Sequence, residues 1–304
     1  MKSLFKHNLF RQIFIVIIVI FFLLVLFLFA TTFKAKSFQI DETVEEIFVG
    51  DSHVRYAVDD SLLINSLNMG NSSESTYFSY FKLKQILKSN PNITTIYLGF
   101  SYHNISGYYD QYTFGRYSRE IAPNYFFILP IWEQLKMIEW NLKRFLHFKF
   151  SLLKSGVMTL VNQNTFQGGF DNPHRNVAAR EKIMNERLDF QYYTDGKINP
   201  FSNLNLTYFD KIVTLCHSQK VQLIILNTPL HSYYRSKIPA KYANKYNSLV
   251  SSKNVIVMDL SQLDLPDYCF QPDGDLLSKE GSIKTTEEII RKKLSMVRKI
   301  TNEP

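Results

Sequence analysis

An acid–serine–histidine run follows a short apolar segment early in the chain. The run Gly50-Asp51-Ser52-His53 comes directly after apolar residues 47–49, where a strand would end and a helix would begin. A serine at that point would lie at the carboxyl edge of a sheet, where open α/β folds bind their ligands. Its hydroxyl would project into solvent, and backbone N–H groups of the next helix could face a developing oxyanion. The alternative is a simple turn with a helix N-cap, because Asp and Ser are both favoured there.

Three further polar turns are predicted at the same edge of the sheet. They are Asn68–Ser72, Gly99–Asn104 and Asp273–Gly281. In the first of them, Gly70 would let the backbone approach closely and would offer an N–H towards the same edge as Ser52. Each segment alone has the composition of an ordinary turn. Their order and placement together indicate a shared site.

Alternating strand-like and helix-like segments from Thr43 onward predict a parallel α/β fold. Each strand candidate is short, apolar and followed by a turn or polar segment, as is typical of buried parallel strands. The predicted strands are Glu46–Val49, Ser66–Asn68, Thr94–Leu98, Val221–Asn227 and Val255–Asp259. The predicted helices include Ser73–Lys88, Asn203–Ser218, Ala240–Val250 and Ser278–Arg298.

Residues 105–205 interrupt this alternation. The segment is rich in Tyr and Phe and contains an amphipathic block, Trp132–Phe150. We expect a mostly helical insertion packed over or beside the sheet, where such insertions often shape substrate pockets. Aromatic residues at helical spacing are more often core than binding surface, so we predict no site residue inside the insertion.

An uncharged apolar run over residues 13–33 is long enough to cross a bilayer as a helix. Basic residues precede it, which favours a cytoplasmic location for residues 1–12. A cleaved signal peptide is the alternative, although its apolar region would normally be shorter. We expect an uncleaved, single-pass signal anchor that places the domain of residues 43–304 outside the cytoplasm.

Composition excludes some partners and leaves others open. The 304 residues carry a formal charge of +8 without a dense Lys/Arg block, so no nucleic-acid partner is predicted. An acidic membrane surface or an anionic glycan is equally compatible with that charge. Cys216 and Cys269 have neither CxxC spacing nor a His/Cys cluster nearby, so no metal site and no cofactor are predicted. Whether these two cysteines form a disulfide stays open.

Taken together, the polar turns resemble the blocks of the SGNH (GDSL-type) hydrolase superfamily. The first block matches at Ser52, which corresponds to the nucleophile, and the second matches at Gly70. The third block is matched in part, because Gly99 is present but Ser101 stands where an asparagine is usual. The resemblance implies an oxyanion hole formed by Ser52, Gly70 and Ser101.

The resemblance also implies a fold and a range of activities. The fold is a flavodoxin-like three-layer α/β/α sandwich, and the chemistry is ester hydrolysis or acyl transfer. Membrane-anchored relatives outside the cytoplasm often modify acyl groups on cell-envelope polysaccharides. We therefore expect a bacterial envelope protein whose partners are the membrane, a cell-surface glycan or acyl donor, and a membrane acyltransferase.

The last block departs from the family pattern at the catalytic histidine. Asp273 and Gly281 match, but Leu276 occupies the histidine position. A leucine cannot accept a proton from a serine hydroxyl, and a serine without a base is a poor nucleophile at neutral pH. Activity would therefore need a base from another part of the chain.

Three histidines are candidates for a base at the same edge of the sheet. His103 and His231 follow predicted strands, whereas His53 is expected to point along its own helix, away from Ser52. We therefore predict Ser52 and Asp273 as catalytic residues, with His103 or His231 as the base. The alternatives are a degenerate relative that binds a glycan or assists a membrane acyltransferase, and an unrelated α/β domain.

Overall fold

Five short apolar segments pair as parallel strands in one sheet. The structure, a computed structural model, describes residues 2–142, 145–172, 180–253 and 255–301. The strands are β1 Glu46–Val49, β2 Ser66–Asn68, β3 Thr95–Gly99, β4 Tyr193–Thr194, β5 Lys197–Ile198, β6 Gln222–Asn227 and β7 Ile256–Asp259. The sheet has the order β2-β1-β3-β6-β7, and β4 and β5 form a separate antiparallel pair. The chain runs outward from β1 on one side and from β3 on the other, so the strand order reverses between β1 and β3. Open α/β sheets bind ligands at such a point.

Helices cover both faces of the sheet and form the region between β3 and β6. They are α1 Lys2–Lys36, α2 Ser52–Ala57, α3 Thr76–Ser89, α4 Asp110–Thr113, α5 Ser118–Tyr125, α6 Ile131–Asn141, α7 Phe145–Leu160, α8 Glu181–Tyr192, α9 Asn203–Ser218, α10 Ser232–Lys237, α11 Ala240–Ser252 and α12 Lys279–Thr301. The predicted α/β fold with a parallel sheet, an apolar N-terminal helix and a mostly helical insertion is confirmed.

Side chains along each strand point alternately to the two faces of the sheet, so the apolar residues of a strand belong to two separate cores. Ile47 and Val49 face α3, α9 and α11, whereas Phe48 faces α2 and α12. Cys216 is buried in the first core and Cys269 in the second, so the sheet separates them. Both are free thiols. A strand buried on both faces reads as a continuous apolar run, which is why the sequence predicts these strands well.

A third core joins the insertion to the sheet domain. It is rich in aromatic residues and lies between α3, α5, α6, α7 and the end of α1. In α1, Thr31 and Ala35 are buried against it, whereas the preceding turns are exposed and apolar. The segment Phe10–Lys36 is long and apolar enough to cross a membrane. One such helix is weak support for a membrane anchor, and its topology stays a prediction.

Candidate active site at the carboxyl edge of the sheet

The turn between β1 and α2 is tight and places Ser52 at the first helical position. Gly50 has a φ of +152°, and a Cβ on it would lie 3.2 Å from the Gly99 Cα of the adjacent strand. Asp51 is the N-cap of α2, and its Oδ1 accepts a hydrogen bond from the His53 N–H at 2.9 Å. Ser52 is half-buried. Within the described parts of the chain its hydroxyl makes no hydrogen bond, so the oxygen is not engaged by another group.

The Asp51 carboxylate is buried and holds the His103 ring. Its Oδ2 accepts hydrogen bonds from His103 Nε2 at 2.7 Å, from Asn104 Nδ2 at 3.0 Å and from the Tyr109 hydroxyl. Burial alone would raise the pKa of the Asp51 carboxyl, but His103, followed by His53 and Tyr109, lowers it well below its ordinary value. An ionised carboxylate can only accept. The proton of this hydrogen bond therefore belongs to His103 Nε2.

A second carboxylate, Asp275, holds His53. Their facing atoms, His53 Nε2 and Asp275 Oδ1, are 3.2 Å apart but poorly aligned for a hydrogen bond, so the contact is mainly electrostatic. Asp275 Oδ2 accepts from Arg187 Nε at 2.8 Å and from Gln191 Nε2 at 2.7 Å. On the other side of the ring, His53 Nδ1 is 3.1 Å from Thr228 Oγ1. His53 thus lies inside the sheet edge with partners on two sides.

The two imidazole rings stack on each other and have opposite pKa shifts. Their centroids are 4.0 Å apart, with 19° between the ring planes. Burial disfavours the cation in both, but the carboxylates of Asp275 and Asp51 outweigh it at His53 and raise the pKa of that ring. At His103, burial and the neighbouring His53 outweigh Asp51 and lower the pKa. At neutral pH the arrangement favours a neutral His103 beside a more readily protonated His53.

Asp51, His53 and His103 are close enough to be considered as metal ligands. One ligand atom from each lies within 4.8 Å of the others. However, Asp51 Oδ2 and His103 Nε2 are only 2.7 Å apart, whereas two ligands of a tetrahedral zinc are about 3.3 Å apart. The nearly parallel rings also prevent their in-plane lone pairs from converging. The geometry is that of hydrogen-bonded pairs and does not fit a metal centre.

The predicted oxyanion-hole residues Ser52, Gly70 and Ser101 lie at the same edge, but the amides of Gly70 and Ser101 have other partners. The Gly70 N–H donates to Asn68 Oδ1 at 2.7 Å, and the Ser101 N–H donates to Asn104 Oδ1 at 2.7 Å. Gly70 is also required for packing, because a Cβ there would lie 2.5 Å from the backbone nitrogen of Arg55. Their role as oxyanion donors stays a prediction, which requires these amides to exchange acceptors during the reaction.

The loop of the last block reaches the edge that carries Ser52. Asp273 Oδ1 accepts from the N–H groups of Asp275 and Leu276 at 3.1 and 3.2 Å, so its hydrogen bonds stay within the loop. Leu276 is half-buried beside it. Asp275, which the sequence analysis did not select, is the carboxylate of this loop that contacts an imidazole.

His231 lies on the same edge, at the start of α10. Its backbone N–H donates to the Gly274 carbonyl at 3.0 Å, which brings it beside the Asp273 loop. Its Nδ1 accepts from the Tyr233 N–H at 3.2 Å, and its Nε2 is 3.1 Å from Asp267 Oδ1. Both ring nitrogens therefore have partners, and the lone pair that a base would use is already engaged.

The loop that follows α7 is attached to this edge. The Gly169 N–H donates to the Gly70 carbonyl at 2.9 Å. A Cβ on Gly168, where φ is +75°, would lie 2.3 Å from that carbonyl oxygen.

A cleft of about 580 Å³ lies elsewhere in the insertion, between Tyr108, Arg116, Tyr117 and Phe190. Tyr108 directly precedes Tyr109, the residue that donates to Asp51.

Comparisons with known proteins identify a likeness of fold only. No family model matches the chain, and no curated protein matches it. Among solved structures, a putative acylhydrolase from Bacteroides fragilis has 9% identity over 87% of this chain and 93% of its own, with a TM-score of 0.40. A putative platelet activating factor from Streptococcus pneumonia has 12% identity over 91% and 97%, with a TM-score of 0.41. A GDSL-like lipase from Bacteroides thetaiotaomicron has 8% identity over 85% and 91%, with a TM-score of 0.39. Similarity at this level leaves the chemistry to be argued from the residues themselves.

Proposed function

We propose that the protein is an SGNH-type serine esterase or O-acyltransferase, anchored by α1, that acts on acyl esters of cell-envelope polysaccharide. The observation that carries this proposal is the buried Asp51–His103 pair at the sheet edge that also carries the half-buried Ser52. Because Asp51 holds the proton of His103 on Nε2, Nδ1 keeps its lone pair. Among the described residues, Nδ1 has no hydrogen-bond partner. A neutral, oriented imidazole of this kind is what a serine needs as a base.

In the proposed reaction His103 Nδ1 removes the proton from Ser52 Oγ as that oxygen attacks the ester carbonyl carbon. The tetrahedral oxyanion then collapses, the bond from the acyl carbon to the alcohol oxygen breaks, and the leaving alcohol takes the proton from His103. The acyl group stays on Ser52 until water or a second hydroxyl attacks it, again with His103 as base. Water as acceptor gives hydrolysis, and a sugar hydroxyl gives transfer.

Asp51 and His53 have supporting roles in this proposal. Asp51 stabilises the imidazolium that forms on His103, as the acid of a serine triad does. His53, whose pKa is raised by Asp275, is protonated more readily than an ordinary histidine and directly follows Ser52 in the chain. His231 is the second candidate base, and it would have to give up its bond to the Tyr233 N–H.

The cleft in the insertion supports a sugar as the substrate class. Its lining combines the aromatic side chains of Tyr108, Tyr117 and Phe190 with the amide of Gln111, and such a mixture of apolar and polar groups is typical of ligand pockets. Arg116 lines the same cleft and adds a cationic group. The anchor α1 would hold this cleft at the cell envelope, where acylated polysaccharides occur.

The test uses the full-length protein, a fluorophosphonate probe and an acetyl ester. We expect the probe to label the wild-type protein and Ser232→Ala but not Ser52→Ala. Ser232 is a matched control, because it is the first residue of another six-residue helix at the same edge. Absence of labelling in the wild type, or hydrolysis that survives Ser52→Ala, contradicts the proposal.

The second candidate function is binding without chemistry, either of a glycan or in assistance to a membrane acyltransferase. Leu276 at the histidine position and the engaged amides of Gly70 and Ser101 favour it. This candidate predicts an inert wild type that stays inert after Leu276→His but retains an acylated oligosaccharide in equilibrium dialysis. Hydrolysis that depends on Ser52 eliminates it.

A further inference from the structure

Helix α7 exposes apolar side chains along one face. Phe150, Leu153, Val157 and Leu160 are 64%, 52%, 47% and 40% exposed. Their spacing of three, four and three residues places them in one stripe. Soluble monomers rarely expose a contiguous apolar surface of this kind unless it is an interaction site. We call these four residues the α7 stripe.

The opposite face of α7 already has its partners. Phe148, Ser155 and Thr159 are 1%, 3% and 2% exposed. Phe148 packs in the core of the insertion, and Ser155 Oγ is hydrogen-bonded to Thr165 Oγ1 at 2.8 Å. The α7 stripe therefore does not result from a helix that is loosely attached or rotated away from its core.

Helix α7 packs against the apolar part of α1. Gly156 lies so close to Phe27 that a Cβ on the glycine would be 2.5 Å from the ring. Small residues permit such close approach between helices in membranes. Phe27 lies six residues before Phe33, the last residue of the apolar run. At a rise of 1.5 Å per residue, this contact is about 9 Å inside the end of the run.

Helix α6 extends the exposed apolar surface. Ile131, Trp132 and Leu135 are 59%, 73% and 48% exposed, while Met137 on the same helix is completely buried. Tryptophan is enriched where a membrane meets water. The α6 residues and the α7 stripe belong to consecutive helices of the insertion.

The charges on α7 favour lipid as the occupant. The helix carries exposed Lys149 and Lys154 and contains no acidic residue. Long basic side chains can extend from an apolar face to lipid phosphates, and anionic lipids attract them. Helix α1 packs against α7 and also exposes apolar side chains, so a single medium would cover both.

We propose that α6 and α7 are seated in the outer leaflet of the membrane, with the α7 stripe among the acyl chains and Trp132 near the headgroups. The proposal rests on α1 being a membrane anchor, as proposed above, but does not depend on catalysis. It makes the insertion a second membrane contact, which fixes the height of the sheet edge above the bilayer.

Tryptophan quenching by brominated lipids tests this seating, because the chain contains only two tryptophans, Trp132 and Trp140. Full-length Trp140→Phe is reconstituted in vesicles of phosphatidylcholine and phosphatidylglycerol with bromines at defined acyl positions. We expect the fluorescence of Trp132 to be quenched most by lipids whose bromines are attached near the headgroup. In a Trp132→Phe/Trp140→Phe background, Val157→Trp should be quenched more strongly by deeper bromines.

Ile64→Trp in the same background is the control. Ile64 is 85% exposed and lies on the sheet domain, so its replacement should stay unquenched. A vesicle-bound protein in which the Val157→Trp and Ile64→Trp variants are equally unquenched overturns the proposal but leaves the anchor intact. Protein that does not float with the vesicles overturns both. Shielding of Val157→Trp from iodide without bromolipid quenching indicates a protein occupant and also overturns the proposal. None of these readouts requires turnover.

Discussion

The two histidines at the sheet edge have the same kind of partner but opposite electrostatics. His103 faces one carboxylate, Asp51, and is pressed against a second imidazole. His53 faces Asp275 and is also influenced by Asp51, so two acids favour its cation. Burial acts on both rings alike. Asp51 and Asp275 act on both rings, so the difference comes from the charge of His53, which together with burial outweighs the two acids at His103.

Because of this difference, the two rings are suited to different catalytic roles. A base must be neutral before it can take a proton, and it needs a lone pair that no other group uses. His103 meets both conditions. His53 is better suited to hold charge, because its nitrogens face Asp275 and Thr228 and its pKa is raised.

The largest expected effect separates the two rings directly. We expect His103→Asn to lower kcat by about 10⁴-fold, because the base is removed, and His53→Asn to cost much less. Initial rates on an acetyl ester measure both, with exposed His217→Asn as control. If a folded His53→Asn protein loses as much kcat as His103→Asn, the assignment of His103 as the base is contradicted.

The carboxylates should show the same asymmetry with a smaller effect. Asp51→Asn keeps the base but leaves His103 without the group that fixes its tautomer, so kcat should fall by about 10²–10³-fold, in the lower part of the range for general acid–base catalysis. Asp275→Asn changes the charge of His53 and should reduce kcat less. Equal losses in two variants with native circular dichroism would argue against His103 as the base.

The pH profile tests the neutral state of His103. Because its pKa is lowered, the base is deprotonated at neutral pH. We expect kcat/KM to rise with pH, with its midpoint below the ordinary histidine value of about 6.5, and then to stay level. A midpoint above that value would point to His53.

Removing the charge of Asp275 should lower the free energy of unfolding more than removing the charge of an exposed acid. Asp275→Asn leaves Arg187 facing an uncharged partner, and that guanidinium is 24% exposed. We therefore expect a loss of about 2 kcal/mol, less than for a fully buried pair. Urea unfolding of the full chain in detergent micelles measures it, and Asp264→Asn should be neutral.

The smallest effect is the pH dependence of stability. The raised pKa of His53 stabilises the fold below the unfolded value of about 6.5, and this is lost as pH rises through the folded pKa. The lowered pKa of His103 acts oppositely and destabilises the fold as pH falls below about 6.5. Replacing each ring with Gln should change the slope of melting temperature against pH in opposite directions. Slopes that change in the same direction would contradict the difference between the rings.

Most of the sheet could be predicted because its signals are local. Strands β1 and β2 have the predicted bounds, and β3 is displaced by one residue. Helix α3 begins at Thr76 rather than the predicted Ser73, because Ser73 has a φ of +62° and Ser75 is the N-cap. A backbone feature of this kind is not visible in side-chain periodicity.

The site could be predicted only in part because its contacts connect distant segments. The sequence marks Asp51 only as part of the Gly50–His53 run or as a turn and N-cap residue, whereas its hydrogen bonds to His103 and Tyr109 span 52 and 58 residues. Arg187 and Asp275 are 88 residues apart, and Arg187 lies in the insertion. The sequence signal for this site is the Asp51-Ser52-His53 run, which has a carboxylate directly before the serine and an imidazole directly after it.

The hydrogen bond between Gly169 and the Gly70 carbonyl connects the loop that follows α7 to the turn beside Ser52. A displacement of α7 would therefore be transmitted through this loop to the backbone beside Ser52, the proposed nucleophile. We expect turnover to vary with acyl-chain length and lipid packing even for a water-soluble ester that never enters the bilayer.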